Sequence, residues 1–233
     1  MNKADILMLK IVAEAMGEDL LAEVVFVGGV TTSVYIQNDP EPQTTPTEDV
    51  DLIVNITTLI DYEAFEKKIG RRGFKRDLDN PGPRCRFHLG EVVVDFMPLN
   101  LNIMGFTNRW YEDAFRQSEV LMVEALRLRI LSFPYFLATK FEAFEDRGRK
   151  GLLWESKDLE DILVVLAGRL ELIKDLNQLT GDISTFVKAQ LTRLLKDESV
   201  FREAAVGCLY DYGPRVAAAK TSALLTELKQ FLP

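Results

Sequence analysis

The chain has 233 residues, 47% hydrophobic and 27% charged, with a formal net charge of −8. That length suits one sizeable domain or two small ones of ordinary globular composition. The acidic balance argues against broad binding to duplex nucleic acid, which needs a basic surface, while leaving room for an RNA reached through a local basic patch.

Two distant cysteines, Cys85 and Cys208, argue against a disulfide framework and point to a reducing, cytoplasmic setting. No apolar stretch approaches the twenty residues of a membrane span. The N-terminal stretch, with Asp5, Glu14, Glu18 and Asp19, has no signal-peptide pattern.

In chain order, residues 4–16 are apolar at helical spacing and predict a helix ending near Gly17. Residues 24–27 (Val-Val-Phe-Val) predict a short buried strand. Gly28-Gly29 breaks it, and Thr31 to Tyr35 fits the first turns of a helix. The proline-rich stretch 38–46 is a loop, because three prolines suit neither a central strand nor a helix interior.

Residues 49–55 predict the second strand and 59–69 a helix followed by Gly73. Lys75 to Asp77 fits the start of a further strand. Asn80-Pro81-Gly82-Pro83 reads as a turn. Residues 84–89 alternate polar and apolar, and Glu91 to Met97 is the most β-branched run of the chain. Residues 110–118 look helical, and 120–130 hold two short strands or a hairpin. From Pro134 the pattern is helical: 134–148, 157–169, 170–178, 182–196, and 199–230 with a break at Gly213-Pro214. The expectation is an α+β chain, with a sheet-bearing domain over 1–132 and a helical domain over 133–233.

Side chains alternate faces along a strand, so Asp49 and Asp51 point one way and Val50, Leu52 and Val54 the other. Two carboxylates side by side repel unless a cation lies between them, and magnesium favours a few carboxylates together with phosphate oxygens. Asp95 interrupts an otherwise apolar run, and a buried carboxylate needs a partner. If its strand pairs beside the first, three acids converge. An isolated Asp-x-Asp also fits a solvated strand end, and a lone Asp95 also fits an acid satisfied by backbone or an arginine.

Gly28 and Gly29 follow a strand and precede a helix, where glycine lets the backbone approach a phosphate and the helix start offers free N–H groups. Thr31, Thr32 and Ser33 add hydroxyls. No Gly-Lys-Ser/Thr follows, so this is not a Walker A loop, and the third glycine of a dinucleotide fingerprint is missing. His88 reads as a strand-surface residue beside Arg84 and Arg86. One histidine and two distant cysteines do not make a usual zinc site or a hydrolytic triad. Arg71, Arg72, Lys75 and Arg76 form the densest basic cluster, either a solvated face or a patch that steers an RNA backbone. The aromatic run at 108–111 serves core packing or the stacking of a base.

Val27-Gly28-Gly29, then Thr47-Glu48-Asp49-Val50-Asp51, then Val94-Asp95-Phe96, resembles the nucleotidyltransferase superfamily related to DNA polymerase β. Residues 132–144, then Asp146-Arg147-Gly148, then 156–162, are similar to its AbiEii-type branch, which includes toxins of type IV toxin–antitoxin and abortive-infection systems. The resemblance spans roughly 24–170.

It implies a nucleotidyltransferase-fold mixed sheet with flanking helices, followed by a C-terminal helical bundle. It implies transfer of a nucleoside monophosphate from a nucleoside triphosphate to a hydroxyl of RNA or protein. Asp49, Asp51 and Asp95 would hold one or two Mg2+ ions. Gly28, Gly29 and Thr31 would shape the phosphate turn. Lys140 would contact the triphosphate, and Asp158, together with Lys157, would orient the site from the helical half. An antitoxin protein would be a partner, and no membrane would be involved. Family members often carry an arginine where this chain has Thr45.

Two alternatives stay open: transfer to a small molecule of the antibiotic type, and a nucleotide-binding or interaction module without turnover. On residues alone, Lys140, Phe144 and Arg147 share one side of a helix at i, i+4 and i+7, which also fits a solvated face. Asp158 and Asp161 likewise fit an exposed face opposite an apolar stripe.

Overall fold

The computed structural model describes residues 3–39, 44–78, 82–105, 108–147 and 153–232. Residues 40–43 of the proline-rich loop, Asn80 and Pro81 of the expected turn, and Gly148 lie outside them. The chain forms two compact units: Asn2–Thr31 with Pro46–Ser132, and Thr32–Thr45 with Phe133–Pro233.

The first unit is built on a mixed six-stranded sheet. Helix α1 (Lys3–Leu21) leads into β1 (Val24–Val27). Gly17, at φ 70°, kinks α1 where the sequence predicts its end, and one further turn follows. After a 3-10 segment, Gly29–Tyr35, the chain enters β2 (Asp49–Val54) and α2 (Leu59–Gly70). The 3-10 segment replaces the expected α-helix. Its run of β-branched and hydroxyl side chains disfavours α-helix, and the Thr31 hydroxyl turns back to the Gly28 carbonyl at 3.0 Å. The diglycine is therefore not followed by the positive end of a full α-helix.

Strands β3 (Arg86–Leu89) and β4 (Val92–Pro98) form a hairpin, α3 (Leu101–Met104) and α4 (Tyr111–Arg116) follow, and β5 (Glu119–Val123) and β6 (Leu126–Ile130) form a second hairpin. The expected strand start at Lys75 shrinks to a single bridge, Lys75 with His88. Sheet order is β3-β4-β2-β1-β6-β5. β2 runs parallel to β4 and antiparallel to β1.

Period-two alternation divides the β2/β4 pair into two faces. Leu52 lies opposite Phe96 in the register, and Phe96 sits edge-on to Phe65, Phe74 and Phe87 at centroid distances of 5.3, 5.3 and 5.7 Å. Helix α2 brings Tyr62, Phe65 and Ile69 into this core, and the Tyr62 hydroxyl donates to the Phe96 carbonyl at 3.0 Å. Thr58 caps α2 by accepting from the Asp61 N–H. Burying rings of this size stabilises the sheet by about 1.5–3 kcal/mol each and leaves the opposite face of the same strands to the acids.

The second unit is helical: α5 (Phe133–Arg147), α6 (Lys157–Gly168), α7 (Leu172–Asn177), α8 (Gly181–Leu194), α9 (Glu198–Cys208) and α10 (Pro214–Phe231). Gly213 at φ 84° and Pro214 at the first helical position separate α9 from α10, as the sequence break predicts. Residues 32–45 join these helices because the Gln37 and Asn38 N–H groups donate to the Gly168 carbonyl at 2.8 and 3.0 Å, and Tyr35 packs on Phe136 at 4.3 Å. No described helix is long and apolar enough to cross a membrane.

Candidate metal centre

The register of β2 on β4 places Asp51 directly beside Asp95, with Asp49 one pleat away beside Val93. Neighbouring residues of paired strands share a face, so all three carboxylates emerge on the side opposite the Phe96 core. One oxygen from each lies within 4.8 Å of the others. Asp95 is 7% exposed, and Asp49 and Asp51 are half-buried. The Thr47 hydroxyl donates to the Asp49 carboxylate at 3.1 Å and steers it.

Gly28 makes room for this arrangement. It adopts φ 75°, and a Cβ there would lie 2.1 Å from an oxygen of Asp51. Only glycine meets both demands. The diglycine therefore serves the carboxylates through β1, whose Val27 is the register partner of Asp51. Gly29 opens the 3-10 segment, and Thr31, fully buried, spends its hydroxyl on that turn.

Arg86 is the residue that reading the sequence missed. It is the β3 partner of Asp95. Its Nε donates to one Asp95 oxygen at 3.0 Å and its Nη2 to the other at 2.7 Å, with Asp49 at 3.5 Å from the same Nη2. The hydrogen bond to Asp95 raises the guanidinium pKa further above its ordinary value. A signal was present. Gly90-Glu91 joins β3 to β4 as a two-residue turn, and counting outward from it sets Arg86 opposite Asp95.

Cys85 has its thiol pushed up to about 12, foremost by burial and then by the Asp95 charge. A thiol so held is no nucleophile at neutral pH.

The basic cluster at 71–76 is partly spent on acids. Arg72 pairs with Asp19 at 2.8 Å, and Arg76 pairs with Glu66 and lies over the Phe87 ring. Trp110 is buried. His88 pairs with Val93 across the hairpin.

In the helical unit, Lys140 pairs with Asp161 at 2.5 Å and with Asp158 at 3.4 Å, and Arg147 reaches Asp158 at 3.1 Å. Asp158 is 7% exposed and Lys140 and Asp161 are partly covered, while Arg147 stays exposed, so the face is a partly buried charge cluster. Lys157 opens α6. Ser156 caps that helix by accepting from the Leu159 N–H. Thr45 donates to Glu160 at 2.5 Å.

The class defined by these features is an α+β protein with three carboxylates clustered on one face of a mixed sheet. No family model matches the sequence, and no curated protein matches it. Among solved structures the chain is similar to an antigenic nucleotidyltransferase-like protein from Paracoccidioides brasiliensis. That match has 20% identity, covers 85% of this chain and 93% of the other, and has a TM-score of 0.49.

Proposed function

We propose that the chain is a divalent-metal-dependent nucleotidyltransferase that moves a nucleoside monophosphate from a nucleoside triphosphate to an acceptor hydroxyl, with pyrophosphate leaving. The observation that carries this reading is the convergence of Asp49, Asp51 and Asp95 from two strands, their oxygens within 4.8 Å of one another, beside a glycine whose missing side chain Asp51 fills. The donor set fits the ion: three hard oxygen ligands, no nitrogen or sulfur, suit Mg2+ rather than zinc. When bound, Mg2+ supplies neutralisation of the triphosphate, a lowered pKa for the acceptor hydroxyl and charge stabilisation at the leaving oxygen.

The chain's own residues supply position. Gly28 lets Asp51 lie over the backbone, Thr47 orients Asp49, and β2/β4 pairing sets Asp95 at the same level. Asp95 would take the proton of the acceptor hydroxyl. The resemblance adds Lys140 as a triphosphate contact, Asp158 as an orienting group and RNA or protein as acceptor, with a toxin role and an antitoxin partner.

The test is incubation of the pure protein with α-labelled triphosphates, Mg2+ and total RNA. Label entering RNA, lost in D51N, supports the reading. Triphosphate turnover unaffected by D51N defeats it. A second reading, a binding module without turnover, draws support from Arg86, which already engages Asp95 as a structural ion pair would. Triphosphate binding with no transfer to RNA, protein or a small-molecule acceptor favours that reading.

A further inference from the structure

The Arg86 guanidinium lies on two of the three acids, Asp95 and Asp49. We propose that Arg86 is a positioning residue that acts as a tethered cation. It holds Asp95 and Asp49 in place before the divalent ion arrives and is displaced from them as the ion binds. The inference rests on the metal reading above and adds a competitor to it.

Both Asp95 oxygens accept from Arg86, a fork geometry that fixes the plane of the carboxylate. Arg86 is anchored at the β3/β4 hairpin, where its backbone partner is Asp95 itself, so the side chain stays near whether or not it touches the acid. Its side chain is 36% exposed, against 10% for Asp95, so the guanidinium has a path to solvent. Bringing a dication to the same oxygens places like charges a few ångströms apart, and repulsion at that range in a partly buried setting is substantial. The flexible exposed partner moves, and the carboxylate fixed in the sheet does not. Asp51 completes the cluster beside Asp95, in the room left by the absence of a side chain at residue 28.

The experiment is a Mn2+ titration of the whole chain, followed by electron paramagnetic resonance of free Mn2+, on wild type, R86Q, R86K and D51N. Removing the competing charge is expected to tighten Mn2+ binding in R86Q by about tenfold or more, while R86K, which keeps the charge, stays near wild type. Without metal, R86Q melts below wild type, and saturating Mn2+ closes the gap. A folded R86Q with equal or weaker Mn2+ affinity overturns the proposal while leaving the metal reading intact. Absence of Mn2+ binding in both wild type and R86Q, or binding unchanged in D51N, removes the metal reading and this inference with it.

If R86Q does not fold, the Arg86 Nε–H resonance of wild type, assigned by its loss in R86K, decides. Slow exchange without metal and loss of protection with Mg2+ support displacement. Protection that persists at saturating Mg2+ overturns it.

Discussion

The two charge clusters, one in each unit, are built from the same residue types and have opposite balances. In the sheet unit the Arg86 guanidinium lies on Asp95 and Asp49, and Asp51 offers an oxygen within 4.8 Å of both acids. In the helical unit Asp158 and Asp161 meet Lys140 and Arg147, two acids against two cations. In the sheet cluster three carboxylate oxygens lie within 4.8 Å of one another, a crowding that a cation would relieve. Charge balance, more than burial or number of carboxylates, separates a network that stabilises from a site that binds, because packed like charges raise the energy of the empty state.

The comparison can be broken first at the acids. D51N should lower transferase activity by about a thousandfold, in the range seen when preorganised charge stabilisation is removed, while raising the metal-free melting temperature. Turnover assays paired with thermal melts read both. If D51N lowers both together, the cluster is not strained and the contrast collapses.

Next comes Lys140. K140A removes the closest cation of Asp161 and one of the two cations on buried Asp158, and should cost about 3 kcal/mol of stability by denaturant unfolding. A loss of stability with an unchanged KM for the triphosphate would assign Lys140 to structure alone. A raised KM that persists in K140R would support the contact the resemblance implies.

Gly28 sharpens the link between backbone and site. G28A places a methyl group where the Asp51 carboxylate lies and demands φ 75° of a residue with a side chain. Destabilisation of about 1–2 kcal/mol is expected, together with loss of Mn2+ binding out of proportion to that cost.

The smallest effect concerns Glu160, whose carboxyl burial raises above its ordinary value, opposed by the Thr45 hydrogen bond. A raised folded pKa means that stability is fullest below the unfolded value and falls as pH rises through the folded one. E160Q should therefore raise the melting temperature by about 1–3 °C at pH 8 and give no gain below the ordinary carboxylate range. Melts across pH in the two proteins check the sign.

Much of the site was legible before the fold. The alternation of Asp49-Val50-Asp51-Leu52 is a statement about faces, and the structure realises it with Phe96 and Leu52 on one side and the acids on the other. The strands at 24–27 and 49–54 and the helices after residue 133 follow from periodicity, since burial on one face imposes the period. The 3-10 segment after Gly29 was not legible as such. It forms because a hydroxyl competes for a carbonyl, a local contest that hydrophobic period does not record. Nor was the joining of residues 32–45 to the helices, which depends on two N–H groups meeting the Gly168 carbonyl across more than a hundred residues.

Chain order and residue type by themselves determined which carboxylates share a strand face, where glycine must stand, and which stretches after residue 133 are helical. Those are local matters of sterics and pattern. Tertiary structure alone decided that β2 lies parallel to β4 with Asp51 at the level of Asp95, that Arg86 falls on two of the acids, and that buried Asp158 is met by Lys140 and Arg147. Pairing of distant strands and helices has no local signature, because its energy comes from surfaces that meet only after the chain has folded.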